Sequence, residues 1–242
     1  MIVDIGNFSL ILSLVLAVYI ACSLILGQSL SVNVLIASGR SALYAVPFLV
    51  AIATFALVYA FVNNDFSVKY VAENSNLEMP RVYTWVAFYA GNAGSLLFIC
   101  LVFSVLAIVV SNHVFKRAPL IASYSIGTMI VILTFFLAVT AFLAEPFDRL
   151  ANVPLNWEGI NPLLVHFGMF VHPPMQMAGL IAVCIPFSLG IGAMLAGKNG
   201  IDTWIDVGRF WGMLSWCVLT CLLYTSDAAD ERSSVDLGGR RI

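Results

Sequence analysis

The clearest chemistry in this sequence is in segment 165–175, VHFGMFVHPPM, where His172 precedes two prolines. Imidazole is a common ligand of metals, haem iron included, and consecutive prolines are expected to end a helix or to prevent one. The apolar flanks predict that His172 lies on non-helical backbone at the mouth of a membrane helix. From the residues alone it is equally a metal ligand or a hydrogen-bonding residue at the membrane interface.

The other histidines and the cysteines are weaker candidates. His166 is six residues before His172, a spacing that does not put both on one helix face, so a shared metal is not expected. His113 precedes Lys116 and Arg117, and we expect a solvated loop residue. Buried apolar packing is the expected role of the cysteines, which all lie in apolar segments and show no disulfide or metal pattern: Cys22, Cys100, Cys184, Cys217 and Cys221.

The elements that carry these residues are membrane helices. The chain is 61% hydrophobic and 10% charged, with a mean hydropathy of +0.99, which is typical of a protein dissolved in lipid. The net charge of −2 and the lack of a basic run give no indication of nucleic-acid binding. Charge-free runs predict an all-α polytopic transmembrane helical bundle of about six spans, near 7–27, 42–63, 93–112, 119–143, 177–197 and 209–223.

The basic residues predict the orientation of these spans. The first span lacks the basic start and cleavage site of a signal peptide, so we expect it to be retained. Five basic residues fall on one side and three on the other, and the richer side is expected to be cytoplasmic. The N-terminus, the loops at 64–92 and 144–176, and His172 then face outward. The richer set is Arg40, Lys116, Arg117, Lys198 and Arg209, and the poorer set is Lys69, Arg81 and Arg149.

The loop at 64–92 carries weaker signals. Residues 66–71 alternate between apolar and polar, as a short strand or an extended surface segment does. Trp85, Phe88 and Tyr89 are spaced like one face of a helix lying on the bilayer surface, but the spacing alone favours an ordinary aromatic belt. Gly91 and Gly94 permit a turn or a close backbone approach.

The composition changes after Leu223. Residues 224–242 are charged and without periodicity, and 235–242 resemble translated adapter read-through. We therefore expect 1–223 to form the transmembrane domain and 224–242 to be a non-native tail with few contacts to the bundle.

Four segments together resemble one known family. They are Phe61-Val-Asn-Asn-Asp-Phe-Ser-Val-Lys-Tyr-Val-Ala-Glu-Asn-Ser-Asn76, Gly94-Ser-Leu-Leu, Asn161-Pro-Leu-Leu and His172-Pro-Pro-Met. In this order and at these separations they resemble the N-terminal part of CcmF, the haem-lyase subunit of cytochrome c maturation, and its paralogue NrfE. The resemblance covers essentially 1–223.

The resemblance implies a role in haem handling at the bacterial inner membrane. Members of this family accept haem from the chaperone CcmE. With the CcmG–CcmH thiol module they support thioether attachment to apocytochrome c, which makes them cytochrome c synthase components. The motif match assigns His172 as one of two periplasmic haem ligands flanking a tryptophan-rich segment, so the implied cofactor is haem.

The sequence also departs from the family pattern. Ala93 stands where the family's Gly-x-Glu-Gly-Ser motif has its carboxylate. The tryptophan-rich segment and the remaining haem-ligating histidines are expected beyond this chain, so we expect these residues alone to lack haem-lyase activity. Two other functions stay open at this point: a secondary transporter or permease subunit, and a scaffold that docks partners through its outer loops.

Overall fold

The computed structural model is an α-helical membrane bundle. It describes residues 1–153, 156, 159, 167–198, 200–201 and 204–220. The predicted domain boundary at 223 and the tail at 224–242 therefore lie outside the described residues. The helices are α1 (Ile2–Ser29), α2 (Asn33–Leu43), α3 (Ala45–Val62), α4 (Lys69–Asn74), α5 (Thr84–Ala90), α6 (Asn92–Arg117), α7 (Pro119–Val139), α8 (His172–Ala182), α9 (Cys184–Ala196) and α10 (204–220).

The described residues form five helical segments that are long and apolar enough to cross a membrane: Ile2–Ser29, Asn33–Val62, Asn92–Arg117, Pro119–Ala144 and Phe167–Ala196. They correspond to the first five predicted spans, and α10 lies within the region of the sixth. The protein is thus a multi-pass membrane protein. Phe48, Phe55 and Phe135 are all more than 60% exposed on these helices, as expected for side chains that contact lipid.

Two of the spans are kinked at proline, as the sequence allows. Pro47 and Pro186 lack the N–H that would bond the carbonyls of Leu43 and Ala182, four residues earlier. The α2–α3 span turns at Tyr44 and the α8–α9 span turns at Val183.

The carbonyl freed by the second kink has a replacement donor. The Ser215 hydroxyl on α10 lies 2.6 Å from the Ala182 carbonyl oxygen and donates to it. A backbone carbonyl without a partner is costly in lipid. This bond gives the Ala182 carbonyl a donor and also connects α10 to the α8–α9 span.

Close packing between helices depends on small residues. At the α7–α9 contact, Gly192 lies directly against Ser125, and any Cβ at position 192 would overlap the serine hydroxyl and backbone. Apolar side chains of α1, α3, α6 and α7 fill the buried core around this contact. Small residues let helix backbones approach closely, which is the usual basis of packing in lipid.

The bundle has two different ends. Gly200, next to Lys198, packs on Ile121 at the start of α7, and Phe210 of α10 packs on His113 near the end of α6. The structure therefore places the five-residue basic set at one end, which we call the basic end. The other end, which we call the loop end, carries the N-terminus, the loops and His172.

Candidate functional site

His172 lies at the loop end as the first residue of α8, with its side chain half-buried. A short 3-10 turn, Phe167–Phe170, leads into it. The prediction of non-helical backbone here is wrong, because Pro173 and Pro174 stand in the first turn of α8 instead of ending a helix. The first N–H groups of a helix have no intrahelical partner, so proline removes nothing there and its fixed φ favours the helix.

Helix α5 fixes the turn that precedes His172. The Tyr89 hydroxyl donates to the Met169 carbonyl oxygen over 2.6 Å. The rings of Tyr83 and Phe170 also pack together, with centroids 5.6 Å apart. Partial desolvation raises the pKa of Tyr89, so its phenol keeps the donated proton at neutral pH. These two contacts hold the turn before His172 against α5 and the residue that precedes it, so the backbone at His172 is positioned by α5 as well as by α8.

A second tyrosine holds α5 itself. The Tyr70 hydroxyl donates to the Phe88 carbonyl oxygen over 2.9 Å and accepts from the Gly91 N–H at 3.1 Å. Burial raises the pKa of Tyr70 to about 12. Gly94 makes this arrangement possible, because a Cβ at that position would overlap the Phe88 carbonyl and approach the Tyr70 hydroxyl. The close backbone approach predicted at Gly94 is confirmed.

The two outer loops pair with each other and with the N-terminus. Val68 and Arg149 form an antiparallel bridge, flanked by the Lys69 N–H donating to the Asp148 carbonyl at 2.9 Å. The Arg149 guanidinium donates to an Asp4 carboxylate oxygen over 2.8 Å. The strand predicted at 66–71 is reduced to this single bridge, since helix α4 begins directly after it.

Exposed apolar residues stand on both sides of His172 in the sequence. Phe167, Val171 and Met175, which flank it in sequence, are 77%, 55% and 42% exposed. None of the described residues hydrogen-bonds to the His172 ring. Nor do the described residues contain a group of three or more histidine, cysteine or acidic side chains that could hold a metal ion.

This arrangement fits a haem better than a bare ion. An axial bond needs one imidazole nitrogen, and an apolar macrocycle needs apolar side chains beside it. His172 and the exposed apolar residues next to it in the sequence are groups of these two kinds, whereas a bare cation requires several protein ligands.

The structure corrects one further interpretation at the loop end. Phe88 and Tyr89 are buried inside the protein, at 0% and 3% exposure, so α5 is not a bilayer-surface helix. Trp85, at 40% exposure, is the most exposed of the three aromatic residues. His166 and the Asn161-Pro-Leu-Leu segment lie outside the described residues.

His113 is not a solvated loop residue. It lies within α6, half-buried, and its Nδ1 accepts a hydrogen bond from Trp211 Nε1–H over 3.0 Å. Its ring packs on Phe210, with centroids 5.3 Å apart. Sequence reasoning missed this contact because the partner is 98 residues away. The available signal was the adjacent aromatic pair of α10, Phe210 and Trp211, both of which pack on the His113 ring.

The cysteines divide by position. Cys100 is buried, as predicted, and lies 3.6 Å from the Thr140 hydroxyl. Cys22 and Cys217 are exposed on their helices and Cys184 is half-buried, so the prediction of burial is wrong for them. Exposure on a membrane span is contact with lipid, which a small apolar thiol tolerates.

No family model matches the chain, but individual relatives do. It is 31% identical over 224 residues to the cytochrome c-type biogenesis protein CcmF of Haemophilus influenzae, covering 91% of this chain and 34% of that protein. It is 33% identical over 219 residues to CcmF of Escherichia coli, covering 90% and 34%. NrfE of Haemophilus influenzae is 26% identical over 164 residues, covering 68% and 26%.

A solved structure shows the same similarity. The chain matches the structure of the cytochrome c haem lyase CcmF with a TM-score of 0.76 and 25% identity, covering 91% of this chain and 34% of that one. The chain therefore spans about a third of the length of the curated relatives it matches, corresponding to their N-terminal part.

Proposed function

From the premise that this chain belongs to the CcmF family of cytochrome c-type biogenesis proteins, we propose that it handles haem for cytochrome c assembly, with His172 as an axial ligand of the iron. The observation that carries the proposal is a half-buried imidazole that no described residue hydrogen-bonds, beside exposed apolar side chains. A neutral imidazole has one nitrogen lone pair for the iron, and the apolar neighbours remain to cover one face of the macrocycle.

In this proposal, the residues of this chain bind the haem and orient it. The Tyr89 hydroxyl fixes the Met169 carbonyl, so the 3-10 turn and the first turn of α8 present His172 in one position. Phe167 and Met175, which are exposed and apolar, would cover one face of a bound haem and exclude water there. When bound, haem supplies the vinyl groups that react with the cysteine thiols of apocytochrome c. No nucleophile or acid–base pair is needed from this chain, because the substrate thiolates attack.

The compartment and partners follow from the same premise. We place the loop end, with the N-terminus and His172, on the periplasmic side of the bacterial inner membrane. The grouping of five basic residues at the opposite end supports this orientation. The partners we propose are the haem chaperone CcmE, the CcmG–CcmH thiol module and apocytochrome c, with covalent attachment as the activity of the complete family protein. The comparisons do not favour a secondary transporter.

A haem titration tests the ligand. We expect purified protein in detergent to bind hemin with a shifted Soret band, and His172→Ala to lose at least about tenfold in affinity, since a lost axial bond is worth more than one neutral hydrogen bond. His166→Ala, six residues earlier in the sequence, is the control and should be much milder. Equal hemin affinity and equal spectra in both variants would rule out His172 as the ligand.

The position of His172 has its own test. Tyr89→Phe removes the hydroxyl that holds the Met169 carbonyl but keeps the buried ring. We expect hemin affinity to fall about fivefold, the equivalent of one hydrogen bond, with the Soret position of the bound form unchanged. Thr84→Val, on the same short helix, should leave the affinity as it is. An unchanged affinity in Tyr89→Phe would show that α5 does not position the imidazole.

A further inference from the structure

Three cations at the basic end are carried by two contacting helices, and none of the acidic side chains that the structure describes pairs with them. Arg40 is in the last turn of α2, and Lys116 and Arg117 are in the last turn of α6. All three side chains are exposed. No ion pair joins any of them to a described residue, and Asp206 is the one acidic side chain that the described residues place at this end.

The position of Arg40 is fixed, not adaptable. Its guanidinium carbon lies 3.9 Å from the centroid of the Phe115 ring, so the planar group stacks on the aromatic face. Phe115 directly precedes Lys116, which brings the Arg40 and Lys116 charges to one place. A hydrogen bond of 2.8 Å from the Tyr44 hydroxyl to Asn112 Oδ1 joins the same two helices one turn away.

Tight packing of α2 on α1 supports this placement. A Cβ at Gly39 would lie 3.1 to 3.3 Å from Ser23 and Leu24 of α1, and a Cβ at Gly27 would lie 3.0 Å from Leu35 and Ile36 of α2. With no room for side chains at these two points, the helices cross closely. Arg40 is therefore carried on a rigid element and loses little freedom when it binds an anion.

The stacked guanidinium keeps its donors available. Its five N–H groups lie in the plane of the group, and stacking on Phe115 covers the face but not the edges. Two edge N–H groups match the oxygens of a phosphate, and the flexible ammonium of Lys116 adds a point charge beside them. The chemistry of this cluster thus fits a phosphate monoanion.

The surroundings indicate that the phosphate belongs to a lipid. Phe48, which follows Arg40 in the same span and lies on its membrane side, is 68% exposed and offers apolar contact for an acyl chain. Tyr44 is 52% exposed next to the cations, where tyrosine is favoured at a membrane interface. We propose that Arg40, Lys116 and Arg117 form a binding site for the headgroup of an anionic phospholipid, in the groove between the end of α2 and the end of α6.

Lipid selectivity of the intact chain tests this site. The protein is reconstituted in phosphatidylcholine vesicles, and the association of spin-labelled phosphatidylglycerol is compared with that of spin-labelled phosphatidylcholine. Each basic residue near a bilayer surface favours an anionic lipid by about fivefold. We expect a clear preference for phosphatidylglycerol that falls at least about fivefold in Lys116→Gln, falls further in Arg40→Gln combined with Lys116→Gln, and approaches 1 when Arg117→Gln is added to these two changes.

Matched variants separate this site from general charge. Lys69→Gln with Arg81→Gln removes two exposed cations from the loop end and should leave the preference unchanged. Arg40→Lys keeps the charge but loses the planar stack and should give an intermediate value.

Three outcomes would overturn the site. They are equal association of both lipids with the unmodified chain, an unchanged preference in Lys116→Gln, and loss of the bound phosphatidylglycerol on adding millimolar inorganic phosphate, which would indicate a free-anion site. If Lys116→Gln left the preference for phosphatidylglycerol unchanged, the remaining role of these cations would be to stabilise the negative C-terminal ends of their helices.

Discussion

The two ends of this bundle are held together by different kinds of contact. At the loop end, buried tyrosine hydroxyls bond to backbone carbonyls: Tyr70 to Phe88 and Tyr89 to Met169. At the basic end, side chains contact one another: the buried Trp211 contacts the half-buried His113, and the exposed Arg40 contacts the half-buried Phe115. The long loops contain many backbone groups without secondary-structure partners, whereas the short connections at the basic end contain few.

The comparison indicates where rigidity is needed. A ligand carried on a loop has a defined position only if the backbone of that loop is fixed by groups outside it. The buried hydroxyls of the loop end serve that purpose for His172. The basic end needs no such fixing, because its charges are carried by the ends of long helices. We therefore expect changes at the loop end to cost more stability than changes of similar size at the basic end.

The largest effect is expected from Gly94→Ala. The added Cβ would overlap the Phe88 carbonyl, which is backbone and cannot rotate away. We expect the free energy of unfolding in mixed micelles to fall by roughly 3 kcal/mol. Gly190→Ala is the control, since nothing lies within 4 Å of its Cβ position, and helix propensity predicts no loss there. A loss under 1 kcal/mol in Gly94→Ala would mean that α5 and α6 are not in close contact.

An intermediate effect is expected from Tyr70→Phe. This change keeps the buried ring and leaves the Phe88 carbonyl and the Gly91 N–H without their shared partner. Two buried backbone groups without partners cost about 2 kcal/mol together. The same unfolding titration measures the loss, and Tyr44→Phe, an exposed phenol at the basic end, is the matched variant. A larger loss in Tyr44→Phe would reverse the comparison between the ends.

The Tyr70 phenol also predicts a dependence on pH. Burial raises its pKa from 10.0 to about 12, so the folded state holds the proton more tightly than the unfolded state. Its contribution is complete below pH 10 and is lost as the pH rises toward 12, since only the unfolded state loses the proton there. The difference in stability between the unmodified chain and Tyr70→Phe should therefore shrink between pH 10 and 12. A constant difference would show that the phenol is not buried.

The smallest effect is expected from Trp211→Phe at the basic end. Phenylalanine keeps most of the ring packing but loses the N–H donated to His113 Nδ1. A half-buried neutral hydrogen bond contributes about 1 kcal/mol, which the same titration detects. The control is Trp216→Phe on the same helix, because Trp216 is 70% exposed. Equal values for the two variants would mean that the Trp211–His113 bond contributes nothing to stability.

Much of the fold could be predicted because it depends on local composition. The charge-free runs located the spans, since about 20 apolar residues cross a bilayer whatever the rest of the chain does. Pro47 and Pro186 marked the two kinks because proline lacks a donor wherever it stands. The grouping of the basic residues followed from alternation of the spans, which requires no knowledge of their packing.

The candidate site was predicted less well. His172 was found from its neighbours, but its backbone was misread, because Pro-Pro ends a helix or begins one depending on which side the helix lies. Trp85, Phe88 and Tyr89 have a spacing that suits a membrane surface and a protein interior equally. The pairs that position the site, such as Tyr89 with Met169, are separated by 80 residues.

The sequence by itself therefore determined the membrane character and the spans, because lipid imposes those requirements on each segment separately. It also supplied His172 as a candidate, through its motif and not through any requirement of the lipid. The tertiary structure alone decided which tyrosine hydroxyl bonds to which backbone carbonyl. It also decided that position 94 has no room for a Cβ and that His113 contacts Trp211. Those contacts depend on where separate helices meet, and the position of a meeting point is set by the packing of the whole bundle, not by any one segment.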